Sequence, residues 1–240
     1  MATNYSCATY SGVELHIIRT DAQNIKPVNL MNTTRTSMEN TNYYGVNGGF
    51  FNMSGDNRTL NIALENGNVV GPYLNNYSNG FGNSVGSGAI YWNGSQLMTT
   101  YSVEYADQLS IYGDSGTWAQ GGIGLWLGYN DWENQFKSQK NADAYFDRES
   151  QKTAIVADMS RNLVYLVVTE DIVSTADFRV ALQAYLGISD GAQANNTYQA
   201  LLLDGSGSSQ MRARSSNGSI VNIKGDSRNL SQIITLRSWS

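Results

Sequence analysis

With 240 residues, the chain is long enough to bury a substantial core as one large or two small domains. Fifteen Lys and Arg against 20 Asp and Glu give a formal net charge of −5, which excludes the broad basic footprint of a general nucleic-acid binder. A hydrophobic fraction of 41% separates it from disordered chains, no window approaches a membrane span, and the lone Cys7 excludes an intramolecular disulfide or a Cys-based zinc cluster.

The first residues, Met1-Ala2-Thr3-Asn4-Tyr5-Ser6, lack the basic and apolar segments of a signal peptide. The expectation is a protein that acts where it is made, travels with a phage particle, or is a mature domain carrying an added start Met. The alternating run Val13-Glu14-Leu15-His16-Ile17-Ile18 predicts a strand over 13–20 with His16 on one face. His16 is the only histidine, so any Ser-His or Cys-His chemistry depends on it and an H-E-x-x-H metal site is excluded. Further strands are predicted at 62–70, 87–92, 153–158, 162–169, 199–203, 219–223 and 231–237, with Asn66-Gly67, Asn93-Gly94 and Asn217-Gly218 supplying turns. Lys152 to Thr169 reads as a hairpin turning around Met159-Ser160-Arg161-Asn162.

A helix follows. Ser174 is its N-cap, Phe178, Ala181, Leu182, Tyr185 and Leu186 form the apolar stripe, and Gly187 ends it. A weaker, mostly polar helix is predicted from Asp131 to Phe146. Many strands, few helices and no regular βαβ alternation predict an α+β fold, one domain over 1–240 with a mostly antiparallel or mixed sheet core.

The most informative run is Leu201-Leu202-Leu203-Asp204-Gly205-Ser206-Gly207-Ser208-Ser209. A buried apolar strand delivers one carboxylate beside a turn rich in backbone donors, an arrangement suited to an anionic or polyhydroxylated ligand. The same run also fits a surface turn in which Asp204 merely opens an Asx-turn.

Tyr44-Gly45-Val46-Asn47-Gly48-Gly49-Phe50-Phe51-Asn52, then Trp118-Ala119-Gln120-Gly121-Gly122, then Lys152-Thr153-Ala154-Ile155 resemble, in order, segments of the phosphodiester glycosidase family, the second of them its central Gln-Gly-Gly turn. After these come the strand into Glu170, the helix ending at Gly187, Leu203-Asp204-Gly205, and Arg228-Asn229-Leu230-Ser231. The resemblance spans about residues 12 to 237. The chain departs from the family pattern with Ser206 for a Gly, Lys152 for an Arg, Val156 for a Gly, and Glu170-Asp171 for Asp-Gly.

The resemblance implies cleavage between a sugar's anomeric carbon and a phosphodiester oxygen. A phosphate leaving group is already a stable anion, so the site needs cationic clamps and carboxylates more than a strong general acid. On that basis Asp204 and Glu170 are the candidate catalytic carboxylates, and Lys152 and Arg228 the phosphate clamps. Asn47 would orient substrate, Gly48, Gly49 and Gly205 would admit it to the backbone, and Ser208 and Ser209 would donate to its oxygens, while Phe50 and Phe51 pack in the core. No cofactor is implied, and no residue group shows clear metal spacing. The expected partner is a phosphate-linked carbohydrate or a nucleotide-sugar. The alternatives are a non-catalytic glycan-binding or virion-associated module on the same fold, and an intracellular hydrolase of nucleotide-linked sugars.

Overall fold

The computed structural model describes residues 2–31, 35–53, 56–71 and 85–239. Strands dominate it. In chain order β1 (Asn4–Tyr10), β2 (Val13–Asp21), β3 (Ile25–Asn29), β4 (Gly45–Asn47), β5 (Ala63–Glu65), β6 (Asn68–Val69), β7 (Gly88–Trp92), β8 (Leu97–Thr100) and β9 (Trp118–Gly124) precede the helix α1 (Trp132–Ser138). β10 (Ser150–Asp158) and β11 (Leu163–Val173) lead into α2 (Thr175–Leu186). β12 (Tyr198–Leu202), β13 (Met211–Arg214), β14 (Ile220–Ile223) and β15 (Gln232–Leu236) complete the order.

Among the described residues every ladder between these strands is antiparallel, and they form two sheets. The larger runs β1-β2-β11-β10-β12-β9-β5-β6, with β7 and β8 joined through β9, and the smaller runs β14-β13-β4-β15-β3. The period of two along a strand sends alternate residues to opposite faces of the larger sheet. On one face Leu15, Ile17, Val156, Val167 and Leu202 meet Phe178, Ala181 and Leu182 of α2. On the other, Ile18, Ile155, Leu166 and Leu201 meet Val46, Met211 and Ile234 of the smaller sheet. The stack is helix, sheet, sheet. It is mainly β, with the helical part smaller than the predicted α+β class suggests.

The hairpin and its helix form where the sequence places them. β10 and β11 pair through Lys152↔Thr169 to Asp158↔Leu163, and Asn162 takes the left-handed conformation (φ 53°) at the turn. Ser174 Oγ accepts the Asp177 N–H at 3.1 Å, and Gly187 closes α2 at φ +69°. All three Asn-Gly pairs lie at turns between paired strands. Three segments differ. Residues 62–70 form the hairpin β5–β6, because Asn66 and Gly67 both adopt positive φ and fold the run back on itself. The helix predicted to Phe146 ends at Ser138, where Gln139 turns extended (ψ 149°) and Asn141 takes φ 54°. Gln120-Gly121-Gly122 is not a turn but the middle of β9; a Cβ on Gly122 would lie 2.5 Å from the Leu202 carbonyl oxygen, so the glycine permits close strand approach.

Candidate active site

The site begins with strand register. β10 and β12 pair with Ala154 opposite Leu202, and the ladder runs on as the Leu203 N–H donates to the Thr153 carbonyl at 2.9 Å. One step further, Lys152 and Asp204 stand as cross-strand neighbours on the face of the sheet that carries α2. Both line a cleft of about 370 Å³ whose wall also carries Phe50, Tyr145, Arg148 and Arg228.

Burial lifts the Asp204 carboxyl from its usual value to about 6, because the charged form loses water; Ser208, Arg228, the Gly205 N–H and Arg148 each pull back the other way. Its Oδ1 accepts the N–H of Gly205 at 3.1 Å, one residue on rather than the two residues of an Asx-turn, so the turn-opening alternative does not describe it. Asp204 is the one carboxylate among the described residues lining this cleft.

Three cations line the same cleft. Lys152 is 3% exposed, and its Nζ donates to the Arg148 carbonyl at 2.5 Å and to Ser150 Oγ at 2.8 Å. Burial, and then the neighbouring Arg148 charge, push its ammonium down to about 8. Arg228 is held by Asp226, Nε donating to Oδ1 at 2.9 Å, and its charge still reaches Asp204. A Cβ on Gly207 would lie 2.0 Å from Asp226 Oδ2 and 2.3 Å from Arg228 Nη2, so that glycine clears the space this pair occupies. Arg148 is exposed at the rim and was not singled out from sequence, because Asp147-Arg148-Glu149 reads as a solvated charge run. Tyr145, also unremarked in the sequence, packs tilted at 57° against Phe50 with ring centroids 4.7 Å apart; burial and the Asp204 charge raise its hydroxyl pKa.

Asn47 is 1% exposed and its amide is fully engaged by protein. Nδ2 donates to the Asp204 carbonyl at 2.7 Å, while Oδ1 accepts from Thr153 Oγ1 at 2.8 Å and from the Gln210 N–H at 3.1 Å. It therefore rivets the end of β12 to β10 and to the smaller sheet, and positions Asp204 rather than presenting its own amide to the cleft. Gly48 and Gly49 are shaped by neighbours of the same kind. A Cβ on Gly48 would lie 1.8 Å from Gln232 Oε1, and one on Gly49 would lie 2.7 Å from Asn61 Oδ1. The Gly49 N–H donates to Gln232 Oε1 at 2.9 Å, and Gln232 Nε2 donates to Gln120 Oε1 at 2.9 Å. This buried amide chain links the Asn-Gly-Gly and Gln-Gly-Gly segments and leaves Phe50 and Phe51 to line the cleft.

Gly205 lines the cleft beside Asp204, and Ser208 and Ser209 are fully buried behind it, with hydroxyls that make no well-formed hydrogen bond. Glu170 is elsewhere. Lys152 pairs with Thr169, so the next residue points through the sheet to the opposite face, where Glu170 lies 3.8 Å from His16. It does not line the cleft.

No family model matches the sequence, and no curated protein matches it. Among solved structures, the catalytic domain of zebrafish N-acetylglucosamine-1-phosphodiester alpha-N-acetylglucosaminidase, auto-inhibited by its pro-peptide, aligns with a TM-score of 0.66 at 16% identity, over 98% of this chain and 82% of that one. A hypothetical protein from Synechocystis aligns with a TM-score of 0.48 at 14% identity, over 97% of this chain and 61% of that one. The first likeness is a likeness of fold. No helix of the described residues is long and apolar enough to cross a membrane.

Proposed function

We propose that this chain is a hydrolase that cleaves the anomeric C–O bond of a sugar joined through phosphate. The observation that carries the reading is one buried carboxylate, raised to about 6, in a cleft of about 370 Å³ that Lys152, Arg148 and Arg228 also line. Neutral glycosides need a strong acid to protonate the departing oxygen; a phosphate ester leaves as an anion and needs cations instead. Among the described residues the cleft is lined by one acid and three cations, which matches the second requirement. The zebrafish enzyme of similar fold carries a phosphodiester glycosidase name, which agrees with this reading.

In the mechanism, Arg228, Lys152 and Arg148 hold the phosphate oxygens, with Arg228 kept in place by Asp226. Asp204 either bonds the anomeric carbon as nucleophile, water cleaving that glycosyl ester in a second step to free the sugar and the carboxylate, or takes the proton of a water that bonds the anomeric carbon directly. The C–O bond breaks with its electron pair staying on the phosphate oxygen, where the cations stabilise the added charge. Tyr145 and Phe50 supply an aromatic wall for the sugar ring. Asn47 keeps the Asp204 backbone in register.

Assaying release of free sugar from a panel of sugar-1-phosphodiesters, nucleotide-sugars and neutral glycosides tests the reading. Sugar release confined to the phosphate-linked members is expected, with the anomer first released reporting nucleophile or base. Binding without release from any member would make the chain a glycan-binding module instead.

A further inference from the structure

The edge of the larger sheet carries a second group of reactive side chains, remote from the cleft. Cys7 of β1 and His16 of β2 are direct cross-strand partners, and His16 is paired on its other side with Val168 of β11. Glu14 and Glu170 lie two residues from His16 and Val168 along their strands, so the period of two puts all four side chains on one face. Sequence distance hides this, because the group spans three strands and Glu170 follows His16 by most of the chain.

Ligand atoms of Cys7, Glu14 and His16 all lie within 4.8 Å of one another. His16 Nε2 is 3.4 Å from Glu14 Oε1 and 3.8 Å from Glu170 Oε2. Two nitrogen or oxygen ligands about 2.0–2.2 Å from one tetrahedral zinc ion stand roughly 3.3–3.6 Å apart, and a thiolate stands slightly further off. The His16–Glu14 spacing is that of two ligands on one ion, and the Cys7 sulfur lies within 4.8 Å of both. His16 supplies the independent sign. It is 7% exposed, and its Nε2 is buried without a hydrogen-bond partner, an arrangement proteins avoid. Its Nδ1 meets the Tyr5 hydroxyl at 2.7 Å; when Nδ1–H donates to that oxygen, the Nε2 lone pair is left free toward the cluster, as in the outer shell of metal-bound histidines.

We propose that Cys7 Sγ, Glu14 and His16 Nε2 form a binding site for a zinc-class divalent metal, with the Glu170 carboxylate at its border. A thiolate with an imidazole selects zinc over magnesium or calcium, and three protein ligands leave the fourth position of a tetrahedral ion open to solvent. On binding, the Cys7 S–H proton passes to solvent and the sulfur lone pair forms the metal bond. Cys7 and both carboxylates are exposed, so the ion enters from solvent. Its effect is to clip the edge strand β1 to β2 and hold it against fraying.

The test uses the full chain, stripped with chelator and titrated with Zn2+ and with Co2+. Expected results are one metal per chain retained on desalting, a thiolate-to-cobalt charge-transfer absorption, and protection of Cys7 from a thiol reagent by Zn2+. Cys7→Ser and Glu14→Gln alter exposed positions and keep the native circular dichroism; each should weaken binding at least about tenfold. No retained metal, or metal retained equally by Cys7→Ser, or a cobalt complex without the sulfur band, would overturn the site.

Discussion

Asp204 and Glu170 stand one strand apart in the same sheet, and their surroundings are opposite. Asp204 follows β12 on the face that carries α2, with Lys152, Arg148 and Arg228 around it and its proton held to about 6. Glu170 lies in β11 on the other face, half-exposed beside His16 and Glu14. Between them only β10 intervenes, and the parity of a single residue, Thr169 against Glu170, decides the face. Two acids at strand ends therefore need not share a site. Only one of them lines the cleft.

The largest effect that would sharpen this contrast is on turnover. Asp204→Asn keeps shape and removes charge, and sugar release should fall by roughly 10²–10⁴ while affinity for the phosphate-linked substrate survives. An unchanged rate would leave the strand-end carboxylate without a chemical role. Next in size is Arg228→Ala. Hydrogen bonds to a charged group are worth about 1.5–3 kcal/mol, so phosphodiester turnover should drop roughly ten- to hundredfold with little change in melting point. A lower melting point with unchanged turnover would make the Arg228–Asp226 pair structural.

Stability should move the other way at Asp204. Its carboxyl is raised in the fold, so its contribution is intact below about pH 4 and lost as pH rises through about 6. Asp204→Asn should therefore be more stable than the parent at pH 7, by up to about 2–3 kcal/mol, with the gain vanishing near pH 4. Denaturant titrations at the two pH values measure this, and a gain of equal size at both would assign it to packing rather than charge. The smallest effect is expected on the far face, where Glu170→Gln should leave sugar release within about twofold, the range of an exposed substitution distant from the chemistry. A loss as large as that of Asp204→Asn would return Glu170 to catalysis.

Much of this was legible in the chain. The hairpin from Lys152 to Thr169, α2 with its Ser174 cap, and the Leu-Asp-Gly strand end all follow from local pattern, because apolar period and capping chemistry act over a few residues. β9 was not legible, since Gln-Gly-Gly carries turn residues and its glycines serve strand approach instead. Lys152, Asp204 and Arg228 were named from sequence and line one cleft. Asn47, Gly48 and Gly49 were named for ligand contact, yet their partners are Thr153, Gln210, Gln232 and Asn61, a buried network that sequence spacing does not reveal. Arg148 reads as part of a solvated charge run, and Tyr145 falls in a predicted polar helix that ends at Ser138, so local pattern gives neither a place in the cleft. The grouping of Cys7 and His16 depends on β1–β2 register, which appears only when the edge strand is seen in place.

The central claim is that one carboxylate and a buried lysine set the chemistry of the cleft, and the pH dependence of kcat/KM for sugar release tests it most directly. The account predicts a bell-shaped profile, rising as Asp204 ionises near pH 6 and falling as Lys152 loses its charge near pH 8, with the acid limb absent from the residual activity of Asp204→Asn. A profile flat across both limbs, or an acid limb unchanged in Asp204→Asn, would contradict it.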